Sequence, residues 1–189
     1  MAFRILAALA VLAGLGAAPA LAQPADLLVP GWRAGAPAEA SLEDAQRYDC
    51  TGGICPAAGL ACLYALAPPR PAGSRWLRAT DVMNPDVMPW GDYEVWLAGA
   101  ARQLRPALAG GDFAQRGEPA LETIGGRDVV QRDYGLRTRI GFIAMPAFLW
   151  GVKGRLYTLA CATEPQALRE AQAPILQLIE ALESLEPEE

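Results

Sequence analysis

The sequence predicts an α+β domain, and three observations carry that reading. Strand-like segments separated by short glycine turns run from residue 121 to residue 163. Apolar residues recur at helical spacing over residues 93–105, and again in a longer pattern at the C-terminus. The chain has 189 residues, which suits one domain once an N-terminal export signal is set aside.

That signal comes first. Arg4 supplies a positive start, residues 5–18 form an apolar run rich in Ala and Leu, and Ala20-Leu21-Ala22 presents small residues at a cleavage site before Gln23. A membrane anchor needs about 20 apolar residues, and Gly14, Gly16 and Pro19 interrupt a run that is already short. There is one arginine rather than a twin pair, and no cysteine follows the cleavage site to take a lipid. The expected organisation is a signal peptide over residues 1–22, a leader over 23–46 and a single domain over 47–186. The leader is rich in Ala, Pro and acidic residues and is expected to be loosely ordered, with Leu27, Leu28, Val29 and Trp32 as docking points. No transmembrane segment is expected in the mature chain, and its location is periplasmic or secreted.

The remaining elements follow in order. Residues 48–59 form a cysteine loop, and 60–66 read as a strand stopped by Pro68-Pro69. Gly73-Ser74 marks a turn, and weak alternation over 76–82 reads as another strand. After a loop at 84–91, Asp92 is a good helix N-cap. Leu97, Ala100, Ala101, Leu104 and Leu108 then mark a helix face that Pro106 ends. Gly110-Gly111, Gly117 and Pro119 punctuate a long surface connection. Leu121-Glu122-Thr123-Ile124 leads into a Gly125-Gly126 turn, and residues 129–136 read as a strand. The nearly continuous apolar run over 139–150 reads as a strand buried on both faces. Pro146 inside it implies an edge position or a bulge. Residues 151–154 turn the chain and 155–163 return, which makes an antiparallel meander. Thr163-Glu164-Pro165-Gln166 reads as a capping box. Leu168, Ala171, Ile175, Leu178, Leu182 and Leu185 then line one helix face, which Pro174 should kink or divide. The acidic tail from Glu186 should fray.

Four cysteines, Cys50, Cys55, Cys62 and Cys161, lie beyond the cleavage site, and an even count in an exported chain reads as a disulfide framework. Thr51-Gly52-Gly53-Ile54 allows a tight turn between Cys50 and Cys55, while Cys62 and Cys161 each fall in a strand-like run. The favoured pairing is Cys50–Cys55 with Cys62–Cys161; its main competitor is Cys50–Cys62 with Cys55–Cys161. A four-thiolate zinc site would need two closely spaced pairs, and distant Cys161 fits that poorly. A redox-active Cys50/Cys55 pair is the other sharp reading, against which stands the four-residue spacer and the lack of a helix starting at Cys50.

Composition narrows the chemistry further. The net charge of −5 is unlike that of a nucleic-acid binder. With no histidine, Ser-His and Cys-His nucleophile pairs, histidine-containing zinc sites and imidazole proton shuttles are ruled out. The single lysine, Lys153, sits in a turn, a poor place to desolvate an amine into a Schiff-base nucleophile. No catalytic set, cofactor or metal site is expected. Asp81, Asp86 and Asp92 lack the dense alternation and closing Glu of a calcium loop.

The second half of the chain, over residues 90–186, resembles the PsbP-like superfamily, which includes the DcrB-type bacterial envelope proteins. The resemblance rests on a helix, the Gly125-Gly126-Arg127 turn, a meander whose last strand begins Gly154-Arg155-Leu156-Tyr157-Thr158-Leu159, and a closing amphipathic helix. It implies an α/β/α sandwich with helices on both faces of a mostly antiparallel sheet. It also implies an accessory, assembly or binding role without catalysis.

Two surfaces are candidates for such a role. Met83, Met88, Trp90 and Trp96 combine adaptable thioethers with indoles, which suits contact with another envelope protein; the plainer alternative is that they cover the sheet. Arg132, Arg137 and Arg139 are candidates for bidentate anion binding on one solvent face. Their plainer alternative is a solvated strand face paired with Asp128 and Asp133. The expected function is an exported, non-enzymatic accessory or binding protein. The alternatives are a thiol–disulfide oxidoreductase using Cys50 and Cys55, or a periplasmic small-molecule carrier.

Overall fold

The computed structural model describes residues 29–35, 45–67, 78–105, 112–139, 141–152 and 155–183. The residues read as a signal peptide and as a Gly73-Ser74 turn, with Pro106, Gly110-Gly111, Lys153, Gly154 and the residues from Glu186, lie outside those described.

Among the described residues, eight strands form one antiparallel sheet. They are β1 (Trp32–Ala34), β2 (Gln46–Cys50), β3 (Leu60–Leu66), β4 (Asp112–Arg116), β5 (Ala120–Ile124), β6 (Arg127–Arg137), β7 (Phe142–Val152) and β8 (Arg155–Thr163). The spatial order is β1-β2-β3-β8-β7-β6-β4, with β5 also pairing β6. The helices are α1 (Ala79–Val82), α2 (Trp90–Leu104) and α3 (Leu168–Glu183), the last entered through a 3-10 turn at Pro165–Ala167.

Side-chain alternation splits the core into two layers, one on each face of the sheet. Along β7, Met145, Ala147 and Leu149 pack with Tyr93, Leu97 and Leu104 of α2. Phe148 and Trp150 point the other way and pack with Ala171, Ile175, Leu178 and Leu182 of α3. Because both faces are covered, β7 reads as an unbroken apolar run in the sequence. The result is the predicted α+β architecture, with α2 on one face of the sheet and the C-terminal helix on the other.

The β5–β6 hairpin turns through Gly125 and Gly126, both at positive φ (60° and 90°), where glycine carries no Cβ penalty. It sets the register Ile124↔Arg127. The meander then continues through β7 and β8, and β8 pairs with β3 over Leu60↔Thr163 to Leu66↔Tyr157. Both disulfides follow the favoured pairing. Cys62 and Cys161 are directly opposed in the β3–β8 register, and Cys50–Cys55 closes the short loop after β2. No described cysteine is free. Two such bridges fit a non-reducing compartment. Among the described residues no helix is long and apolar enough to cross a membrane.

Several local expectations are corrected. Within the stretch read as a leader, Val29 and Trp32 are buried, as docking points should be, but Trp32–Ala34 is an edge strand of the sheet rather than loosely ordered chain. The segment read as a strand at 76–82 contains the one-turn helix α1, where the Arg78 N–H donates to Asp81 Oδ2 at 2.8 Å. Helix α2 starts three residues earlier than the pattern suggests, with Pro89 rather than Asp92 at its N-cap, and Asp92 occupies the first turn. An acidic side chain there is favourable beside the helix N-terminus. The supposed surface connection contains strand β4, and β5 follows it directly; the two pair with successive halves of β6. Pro146 is in an interior strand; the β7–β8 ladder passes from Ala144↔Thr163 to Ala147↔Ala160 and skips Met145 and Pro146. The capping box does not form. Thr163 is held in β8 and its hydroxyl donates to the Gly59 carbonyl, while Gln166 bonds the Glu164 carboxylate. Helix α3 is one element, not divided at Pro174.

Candidate binding surface

The first turns of α2 lie against the far edge of the sheet, where β4 and β6 meet. Glu94 is the hub. Its carboxylate accepts from Arg116 Nε at 2.9 Å and lies 3.6 Å from an Arg132 guanidinium nitrogen. Arg132 also donates to the Gly117 carbonyl at 2.8 Å. Its guanidinium stacks over Trp90 at 4.6 Å and Tyr134 at 5.2 Å. Arg132 is therefore held from several sides and ties α2 to the sheet. One turn further on, Tyr93 shares a buried 2.7 Å hydrogen bond with Thr158. Burial pushes the Tyr93 phenol upward, partly offset by that bond. Tyr134 is pushed up to about 12, chiefly by burial and against the pull of Arg132. Both phenols stay neutral across the physiological range.

Replacement of Glu94 by Gln keeps its shape and removes its charge. The expected cost is about 1–2 kcal/mol in a urea titration, mostly from enclosed Arg132 rather than half-exposed Arg116. Arg137→Ala should stay within about 0.5 kcal/mol, since that side chain is exposed.

The three arginines do not gather. Arg132 and Arg137 are five positions apart on a regular strand and so point to opposite faces, and Arg139 lies beyond the strand end, exposed. The 83–96 stretch is also corrected as an open surface. Met88 is 3% exposed and belongs to the core, with Met83, Trp90 and Trp96 packed half-buried against the same cluster. They cover the sheet. Val95, at 74% exposure, is the large apolar side chain that stretch leaves open. Asp81, Asp86 and Asp92 form no cluster, since among the described residues no three metal-ligating side chains converge.

The feature that sequence reasoning missed is a groove on the α3 side of the sheet, beyond the start of that helix. It measures about 500 Å³ and is lined by Gln115, Asp133, Gly135, Phe142, Pro165 and Leu168. A second depression of about 420 Å³ shares Phe142 and Pro165 and extends to Arg105, Glu164 and Gln166. Phe142 lines both and is 36% exposed. Its ring lies over Gly135, where a Cβ would come within 2.6 Å of ring carbon. A glycine inside a strand marks such a close approach, and Gly135 was the available signal. The rim mixes charges. Arg105 is engaged with the carbonyls of Ala58 and Gly59 at 3.2 and 3.1 Å, while Asp133 is exposed.

No known family model matches the chain, and no curated protein matches it either. Among solved structures, the chain is similar to PA94, a protein of unknown function from Pseudomonas aeruginosa. The TM-score is 0.40 and the identity 14%, over 77% of this chain and 83% of that one. A likeness at that level carries no functional argument.

Proposed function

We propose that this chain is an exported accessory protein of the bacterial envelope, without catalytic activity of its own, that binds another envelope protein. The observation that supports this best is the Cys62–Cys161 bridge. It is buried between two interior strands and joins the first third of the domain to its end, and a bond so placed fits a chain that matures where thiols are oxidised. The resemblance to PsbP-like and DcrB-type proteins belongs to the same reading. The sandwich of helices around an antiparallel meander is in keeping with it. The groove around Phe142 is the surface we assign to the partner, because it pairs a part-exposed aromatic with an apolar floor and a polar rim, the anatomy of a protein contact.

The test is site-specific photo-crosslinking in the native envelope, with the probe at position 142 and a control probe at position 95. A discrete adduct from 142 is expected, lost on Gly135→Val, whose side chain takes the space over which the position-142 side chain lies. Equal adducts from both positions, or none from 142, would remove the groove from consideration.

A further inference from the structure

The outer disulfide sits where the N-terminal strand is attached. Strand β1 pairs with β2 over only three positions, and the partner of Trp32 in that register is Cys50 itself. Beyond that pairing, Val29 and Trp32 are buried in the α3 layer and the Gly35 N–H donates to the Arg47 carbonyl at 2.9 Å, while the loop that the Cys50–Cys55 bridge closes packs onto Gly31, the residue before β1. The Thr51 N–H donates to the Gly31 carbonyl at 2.8 Å and the Gly52 N–H at 3.3 Å. Cys55 Sγ lies 3.5 Å from the same oxygen. The Ile54 side chain occupies the space a Cβ on Gly31 would take, 2.8 Å away, and a Cβ on Gly52 would come within 2.7 Å of the Gly31 Cα. The loop is itself compact, with the Cys55 N–H donating to the Gly52 carbonyl at 3.0 Å and the Gly52 N–H directed at Cys55 Sγ at 3.2 Å.

The two bridges also differ in access. Cys50 and Cys55 are half-buried, whereas Cys62 and Cys161 are fully buried between strands paired over seven positions. A reductant in solution meets the outer bridge first. Reduction there also yields thiols next to an N–H, that of Gly52, placed to stabilise a Cys55 thiolate.

We infer that Cys50–Cys55 is a redox-operated clasp: oxidised, it folds residues 51–55 over Gly31 and holds β1 on the sheet; reduced, it lets β1 lift away and leaves β2 as an open edge. The electron donor is a dithiol. One of its thiolates attacks a sulfur of the bridge, breaking the S–S bond and forming a mixed disulfide. Its second thiol then displaces that sulfur. Two electrons and two protons pass to Cys50 and Cys55, and the donor leaves as a disulfide. This inference stands apart from the partner groove, which lies at the opposite edge of the sheet.

The experiment uses the full mature chain. Hydrogen exchange read by mass spectrometry is followed during graded reduction with dithiothreitol, with thiol alkylation at each step, and is repeated on Cys50→Ser/Cys55→Ser. Alkylation of Cys50 and Cys55 is expected before that of Cys62 and Cys161. At the same step, amide exchange in residues 29–35 and 46–50 should rise at least about tenfold while residues 60–66 and 155–163 keep their protection. Gly31→Val, which displaces the Ile54 side chain and strains a backbone at φ 84° with the bridge intact, should give the same local rise without any reductant. The clasp is overturned if exchange over 29–35 is unchanged by reduction or in the serine variant. It is equally overturned if all four cysteines react together, or if β3 and β8 lose protection in step with β1.

Discussion

Replacing Cys62 and Cys161 together by alanine is expected to lower the unfolding free energy by about 3–5 kcal/mol. The bridge spans a sequence separation of 99 residues, and its main contribution is to restrict the unfolded chain. For a loop of that size the chain-entropy relation gives somewhat over 4 kcal/mol. Both sulfurs are also packed in the α3 layer beside Leu159, so truncation removes core contacts as well. The outer bridge, with a separation of 5, comes out at roughly 2 kcal/mol by the same relation. For a chain of this size each kcal/mol moves the thermal midpoint by about 2–4 °C, so the double alanine variant should melt about 10 °C lower. Equilibrium unfolding in urea, followed by tryptophan fluorescence, measures it. A loss below about 1 kcal/mol would mean that the β3–β8 pairing holds the termini together without the bond.

The other large effect is expected at Trp150. It is fully buried and sits in a stack with Tyr64 at 5.9 Å and Tyr157 at 6.4 Å, all three rings within about 20° of parallel. Trp150→Ala empties an indole-sized space between β7 and α3, at an expected cost of about 3–5 kcal/mol. Trp150→Phe should cost clearly less, for two reasons. A ring remains in the stack, and the indole N–H of Trp150 has no hydrogen-bond partner among the described residues, so its removal relieves an unpaired buried donor. The comparison is read from paired urea midpoints. If the phenylalanine variant is as unstable as the alanine one, the indole nitrogen contributes a bond and the argument from its isolation fails.

Legibility differed along the chain for identifiable reasons. The 139–150 run was readable as a strand because burial on both faces leaves a signal in every residue. The closing helix was readable because Ala171, Ile175, Leu178 and Leu182 share one face at the spacing an α-helix requires. Strand β4 was not. Its residues are largely exposed, so it carries little alternation, and its strand state comes from pairing with Tyr134–Arg137 of β6. Helix α1 is too short to show a period. Thr163 and Gln166 have the spacing of a capping box, but the hydroxyl is drawn to Gly59, 104 positions earlier in the chain. The candidate sites fared less well than the elements. Met88 and Trp90 have the residue types of an interface and the burial of a core, and residue type alone does not separate the two. The groove at Phe142 left only one trace, the glycine in the middle of β6.

By itself the sequence determined the meander strands, helices α2 and α3, the turn at Gly125-Gly126 and the cysteine pairing that strand placement favours. These rest on periodicity and on backbone preferences within a few residues of one another. Only the tertiary structure decided the strand order, the joining of β4 and β5 along β6, the enclosure of Arg132 by Glu94 and Trp90, and the convergence of the outer disulfide loop on Gly31. Each of those depends on which distant segments lie side by side. Side-chain direction relative to a neighbouring strand is a property of the register and not of local residue spacing.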